Sequence, residues 1–301
     1  MGDPAGVGPE LCLALLQDEA FLARHELLLF GSLDVLKSRA DDSRPFDPSC
    51  VVDAGPVADL VPGEVSAATG EASFRYLDQA RQAVESGEAK ALVTCPVNKE
   101  ALAAAGVPDI GDPAFFAGEY GTGHHFLMVH SPELTCSLVT GNMGLAEVPA
   151  ALTVESVLEV IKLTAHAITA VNGRGARIAV LGLNPHAGEH GLFGDEELHV
   201  IQPAIKAANE QGIDAVGPLP PDTAFLPGNR PRFDAYVCMY HDQGLIALKT
   251  IDFEHAVNVT LGLPIVHTSV SHGIALDIAG KGVADTGPLF AAVNFATRLV
   301  H

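Results

Sequence analysis

At 301 residues and 48% hydrophobic content, the chain carries enough apolar surface for one or two compact domains. Its 17 Lys and Arg face 37 Asp and Glu, and this formal net charge of -20 argues against nucleic acid or an anionic membrane surface as a partner. Five cysteines (Cys12, Cys50, Cys95, Cys136, Cys238) form no C-x-x-C pair, no run reaches the roughly 18 apolar residues of a membrane span, and no signal-peptide pattern opens the chain, so a cytoplasmic protein with reduced thiols is expected.

The opening "MGDPAGVGPELCLALL" is a Gly/Pro loop running into a helix, with Pro9 near the helix start, where its missing N–H does no harm. Such a loop can hold an anion or serve as a tight turn. It normally follows a strand, so a strand is expected ahead of Met1 in the natural chain. Apolar runs then predict strands within 25–31, 90–96, 124–130, 134–141, 177–183 and 234–240. Apolar residues at three-and-four spacing predict helices within 72–88, 154–171 and 196–212. Strand and helix alternate and the strand runs are continuously apolar, so the expected fold is α/β with a mainly parallel sheet covered on both faces. The Pro- and Gly-rich stretches 106–123 and 217–231 read as loops, the first as a domain crossing.

No G-x-G-x-x-G follows a strand, no P-loop occurs, and "AGKG" at 279–282 lacks the required Ser or Thr. G-x-S-x-G and H-E-x-x-H are also missing. What remains is histidines at strand ends. His186, in "LGLNPHAGEHG", and His241, in "YHDQGLIALK", each follow a strand at its carboxyl end, where α/β sheets bind ligands, and two such imidazoles can share a divalent metal. The plain alternative is that each ring caps a turn. Beside His241, Asp242 and Lys249 are the candidate catalytic residues, with Gln243 supporting the ligand and Lys249 offering a cation to an anionic substrate. The segment 257–287 gathers Asn258, His267, His272, Asp277 and Asp285 among glycines and reads as a ligand loop.

The blocks "MGDPAGVGPE", "TCPVNKEAL", "LGLNPHAGEHGLFGDEE", "GPLPPDTAF", "YHDQGLIALK" and "VNVTLGLP…TSVSHGIALDIAGKGVAD", in this order along nearly the whole chain, resemble the 4-hydroxythreonine-4-phosphate dehydrogenase family. The resemblance implies an isocitrate/isopropylmalate-dehydrogenase-like fold of two α/β/α domains around a cleft. Residues 1–112 with 258–301 would form the domain that carries the NAD loop, and 113–257 the one that carries metal ligands and dimer contacts. It further implies a homodimer with its active site near the subunit interface, NAD as hydride acceptor, and a divalent metal (zinc, or magnesium, manganese or cobalt) held by three histidines.

Carried over singly, His186 and His241 take two metal positions, Lys249 and Asn258 match substrate contacts, and His272, Gly273, Asp277 and Asp285 lie in the stretch similar to an adenosine-binding loop. Four positions depart. Asn142 stands where the third metal histidine belongs, and its amide oxygen is a weaker, harder ligand than imidazole. Asp112 and Pro113 replace a substrate-binding His-Thr pair, and His267 replaces a substrate arginine with a ring charged only part of the time at neutral pH. His124, His125 and His190 are candidates to make up for Asn142.

The function implied is oxidation and decarboxylation of a β-hydroxy acid in pyridoxal phosphate biosynthesis. The departures are similar to a branch that oxidises a terephthalate-derived dihydrodiol dicarboxylate. Two further readings stand beside it: a non-catalytic metabolite-binding paralogue, and a metal-dependent hydrolase or lyase working without a nucleotide.

Overall fold

The computed structural model describes residues 1–300 except 42, 108–111 and 122–124, and the backbone alone of Asp112, Pro113, Ala114 and Ala117. Its strands are β1 (Leu29–Gly31), β2 (Val51–Asp53), β3 (Ala91–Thr94), β4 (Phe126–His130), β5 (Thr135–Leu138), β6 (Arg177–Leu181), β7 (Asp214–Leu219), β8 (Ala235–Cys238), β9 (Val257–Leu261) and β10 (Val266–Val270). Each of the six apolar runs holds one of them. The chain divides into two units, Met1–Gly123 with Leu263–Val300, and His124–Gly262.

In the first unit β1 pairs with β2 and β3 with β10, both parallel. Helix Gly8–Leu16 buries Leu11, Cys12, Leu15 and Leu16 with Phe21, Leu36, Val270 and Leu289. The N-terminal loop spends its amides on the chain's own oxygens. Asp3 N donates to Pro96 O (3.0 Å), Ala5 N to Asp3 Oδ1 (2.8 Å), Gly6 N to Asp3 O (3.1 Å) and Val7 N to Ile274 O (3.1 Å). These bonds make the loop a tight turn.

In the second unit the strand order is β9-β4-β5-β8-β6-β7, parallel except for β4, which runs antiparallel to both neighbours. All residues of β5 and β8 are buried, the condition of a sheet covered on both faces. Helix Val154–Asn172 lies on β5, β6 and β8, and helix His241–Asp252 on β5 and β8. The first of these starts where Thr153 Oγ1 accepts from Ser156 N at 3.0 Å and stops at Gly173, whose φ of +66° only glycine adopts without strain.

Three expectations change. The segment 257–287 is not a loop throughout: its first half forms β9 and β10, because Val257, Val259 and Leu261 are buried where β9 pairs with β4. The stretch 106–123 holds helix Asp112–Tyr120, and 217–231 holds the end of β7 and a short helix Pro221–Ala224. Glycine and proline density marked turns correctly but hid the elements between them. Among the described residues no helix is long and apolar enough to cross a membrane.

Candidate functional site

In the second unit, β5, β8 and β6 are adjacent and parallel, so the segments after them leave at one edge. Asn142 follows β5, His241 follows β8 and His186 follows β6. Hydrogen bonds hold these strand ends together. Val139 N donates to Cys238 O (2.9 Å) and Thr140 Oγ1 to Met239 O (2.8 Å). The buried Gln243 amide then spans β8 and β6, with Oε1 accepting from Met239 N (2.7 Å) and Nε2 donating to Gly182 O (2.8 Å).

After Asn184-Pro185 the backbone enters the left-handed region for six residues: φ is +55° at His186, +53° at Ala187, +77° at Gly188, +42° at Glu189, +59° at His190 and +92° at Gly191. The four non-glycine residues each cost roughly 1 kcal/mol there, so the turn must be held from outside. Glu197, 1% exposed, does this. Its Oε1 accepts from Leu183 N and Asn184 N, both at 2.7 Å, and its Oε2 from Asn184 Nδ2 at 2.9 Å. Gly182 and Gly188 leave the room this requires: a Cβ on Gly188 would strike the Glu197 carboxylate, and one on Gly182 would strike Ala187 and crowd that carboxylate.

The two histidines share one arrangement. His186 Nδ1 lies 3.2 Å from Glu189 Oε2, and His241 Nδ1 lies 2.7 Å from Asp242 Oδ1. A ring whose Nδ1–H donates to a carboxylate has its lone pair on Nε2, the tautomer of a metal-ligating histidine. Asn142 is exposed on the bend after β5 and His190 is exposed in the left-handed turn. His125 directly precedes β4, whose first residue meets this same edge because β4 runs antiparallel to β5; burial pushes its imidazole below the ordinary value. His124 lies outside the described residues. Among the described residues no three or more His, Cys, Asp or Glu side chains are grouped to hold a metal. Two imidazoles and an amide thus follow adjacent strands at one edge, and imidazole is a donor type that suits a divalent ion.

Other expected residues are placed elsewhere. Lys249 lies eight residues along the helix from His241, about 12 Å at 1.5 Å per residue, with its ammonium 5.6 Å from the Phe253 ring centre. Asn258 shares a row with Val129, Cys136, Tyr236 and Ala179, inside the sheet and three residues short of Leu261, where β9 ends. Asp112 and Pro113 begin helix Asp112–Tyr120, and their side chains lie outside the described residues.

In the first unit, His267 is 1% exposed within β10, its Nε2 3.1 Å from Thr94 Oγ1 and its ring edge-on to Phe116. Burial pushes its imidazole down to about 3, so the ring is neutral at pH 7. This corrects the expectation of a partly charged side chain.

The loop after β10 carries the other four candidates. His272 Nδ1 lies 2.9 Å from Gly273 O, which leaves Nε2 as an acceptor, and this buried atom has no partner among the described residues. An acceptor of this kind fits the amino group of an adenine. Gly273 opens onto free space, Asp277 is exposed, and Asp285 Oδ1 accepts from Gly287 N at 2.9 Å where helix Gly287–Leu299 begins. Glu197 is the contributor that sequence reasoning missed: nothing in "GDEEL" separates a buried glutamate from an exposed and a half-buried acidic neighbour.

The family described as "Pyridoxal phosphate biosynthetic protein PdxA" matches residues 13–296. A 4-hydroxythreonine-4-phosphate dehydrogenase of Desulfosudis oleivorans is 42% identical over 315 residues, covering 98% of this chain and 93% of its own. The crystal structure of 4-hydroxythreonine-4-phosphate dehydrogenase from Klebsiella pneumoniae superposes with a TM-score of 0.86 at 34% identity, covering 100% of this chain and 98% of that one. That of a terephthalate 1,2-cis-dihydrodiol dehydrogenase from Burkholderia xenovorans superposes with a TM-score of 0.71 at 31% identity, covering 99% and 96%. With a family match over nearly its full length and relatives of this identity, the chain belongs to the PdxA family.

Proposed function

We propose that the protein is a cytoplasmic NAD- and divalent-metal-dependent dehydrogenase that oxidises a β-hydroxy acid with decarboxylation, with 4-hydroxythreonine 4-phosphate as the first candidate substrate. The observation that carries this reading is the pair of strand-end histidines, each with Nδ1 on a carboxylate and Nε2 left to ligate. When bound, the metal supplies Lewis acidity at the substrate hydroxyl, and the dinucleotide accepts hydride. His186 and His241 would hold the metal, with Glu189 and Asp242 fixing their rings and Glu197 and Gln243 keeping the strand ends in place. His272 Nε2 would accept from the adenine amino group.

The proposed assembly is a homodimer. Within one chain Lys249 lies far along its helix and Asn258 inside the sheet, so a second copy is needed to complete the site. Leu145, Leu192 and Ile246, in segments that follow β5, β6 and β8, are 69%, 70% and 66% exposed, as an unpartnered face would be.

The test is NAD reduction by metal-stripped protein resupplied with zinc, magnesium, manganese or cobalt, with 4-hydroxythreonine 4-phosphate offered first. A second substrate reading, a non-phosphorylated dihydrodiol dicarboxylate, is favoured by the neutral, buried His267 at the position of the family's substrate arginine, because it offers a phosphate no charge. Turnover of the dicarboxylate alone would select it. Absence of turnover with both, with no metal retained, would leave the metabolite-binding paralogue.

A further inference from the structure

In the "AGKG" turn two backbone amides meet the carboxylate of a residue from the N-terminal helix. Glu10, in the first turn of helix Gly8–Leu16, accepts from Gly280 N through Oε1 and from Gly282 N through Oε2, the latter at 3.1 Å. Gly280 and Gly282 have φ of +79° and +66° with Lys281 between them, an alternation that turns amides to one side as an anion-binding nest. Arg39 Nη1 fills the place a Cβ on Gly280 would take. The charge of Glu10 acts on this guanidinium, and Arg39 Nη2 has no partner among the described residues. Gly280, Lys281 and Gly282 are all exposed.

Two amides on one carboxylate, with a guanidinium against the same turn, are donors of the kind that recognise a phosphate. We infer that Glu10 fills an anion site in the dinucleotide loop from within the chain, and so makes the protein select a dinucleotide without a 2′-phosphate, NAD over NADP. The inference rests on the reading of residues 272–285 as the dinucleotide loop. A 2′-phosphate arriving at the turn meets donors already taken and a like charge. With Glu10 neutralised, Arg39 and Lys281 make the same place attractive to it.

Calorimetric titration of NAD, NADP and inorganic phosphate into the wild type, Glu10→Gln and Glu10→Ala tests this. The wild type binds NAD more tightly than NADP and takes no phosphate at the turn. In Glu10→Ala the NADP affinity rises about tenfold, the scale of one charge-assisted contact, inorganic phosphate competes with NADP, and adding Arg39→Gln removes the gain. Glu10→Gln keeps an acceptor for the turn, guards against loss of fold, and shifts the ratio the same way by less. A clamp that only shapes the loop would weaken both dinucleotides together and admit no phosphate, which overturns the inference. If NAD binds the wild type and neither variant raises NADP binding, the anion site falls and the cofactor reading stands. If neither dinucleotide binds the wild type, the cofactor reading falls, and phosphate titration of Glu10→Ala still decides the anion site.

Discussion

His241 and His267 both belong to the sheet regions of this chain, and they end in opposite surroundings. His241 stands just past the end of β8, where its side chain is 37% exposed and its Nδ1 meets a carboxylate. His267 sits one residue into β10, 1% exposed, against Thr94 and Phe116. Backbone position decides the difference. A residue past the last ladder bond can present an imidazole to a ligand, whereas one inside a covered strand must pack it and keep it neutral.

The sharpest way to break this comparison is to remove each ring. His241→Ala is expected to lower metal-supported turnover by about a thousandfold, the several kcal/mol a Lewis acid supplies, whereas His267→Gln leaves metal stoichiometry at the wild-type level. Metal analysis beside initial rates checks both, and equal losses would erase the distinction. Next in size, Glu197→Ala strands Leu183 N and Asn184 N and leaves Asn184 Nδ2 with Glu196 alone, at a cost on the order of 3 kcal/mol by urea unfolding, with weakened metal binding in calorimetry. Unchanged stability would show that the left-handed turn holds itself.

The neutral state of His267 gives a pH signature. Its folded-state value is depressed to about 3 from the ordinary 6.5, so the stability it contributes is complete above pH 6.5 and is lost progressively as pH falls toward 3. At pH 5.5 the wild type should have lost about 1.4 kcal/mol, relative to pH 8, that His267→Gln does not lose. Parallel unfolding curves of the two proteins across that range would refute the assignment. Asn142→His, which restores a third imidazole at the edge, should raise metal affinity about tenfold in a competition titration. No gain would mean that the bend after β5 does not face the ligand.

Six of the described strands and the two strand-end histidines were legible because continuous apolar runs name covered strands, and a histidine just past such a run is placed by the run itself. Elements rich in glycine and proline were not. β9 and β10 read as a loop because "LGLP" between them dominates the local signal, although most residues of each strand are buried. Glu197 was illegible for another reason: its role is set by three donors 13 or 14 residues earlier in the chain, which no local pattern encodes. The state of His267 was invisible in the same way, since the burial that neutralises it is shared with Thr94, 173 positions away.

The left-handed run from His186 to Gly191 reverses the usual rule of mutational tolerance. In an ordinary helix glycine is the costly substitution and alanine the safe one; here Ala187 is the strained residue and glycine would relieve it. A sequence drifting toward stability alone would therefore lose its side chains at this turn first, so the side chains of Glu189 and His186 persist there only against the pull of the backbone.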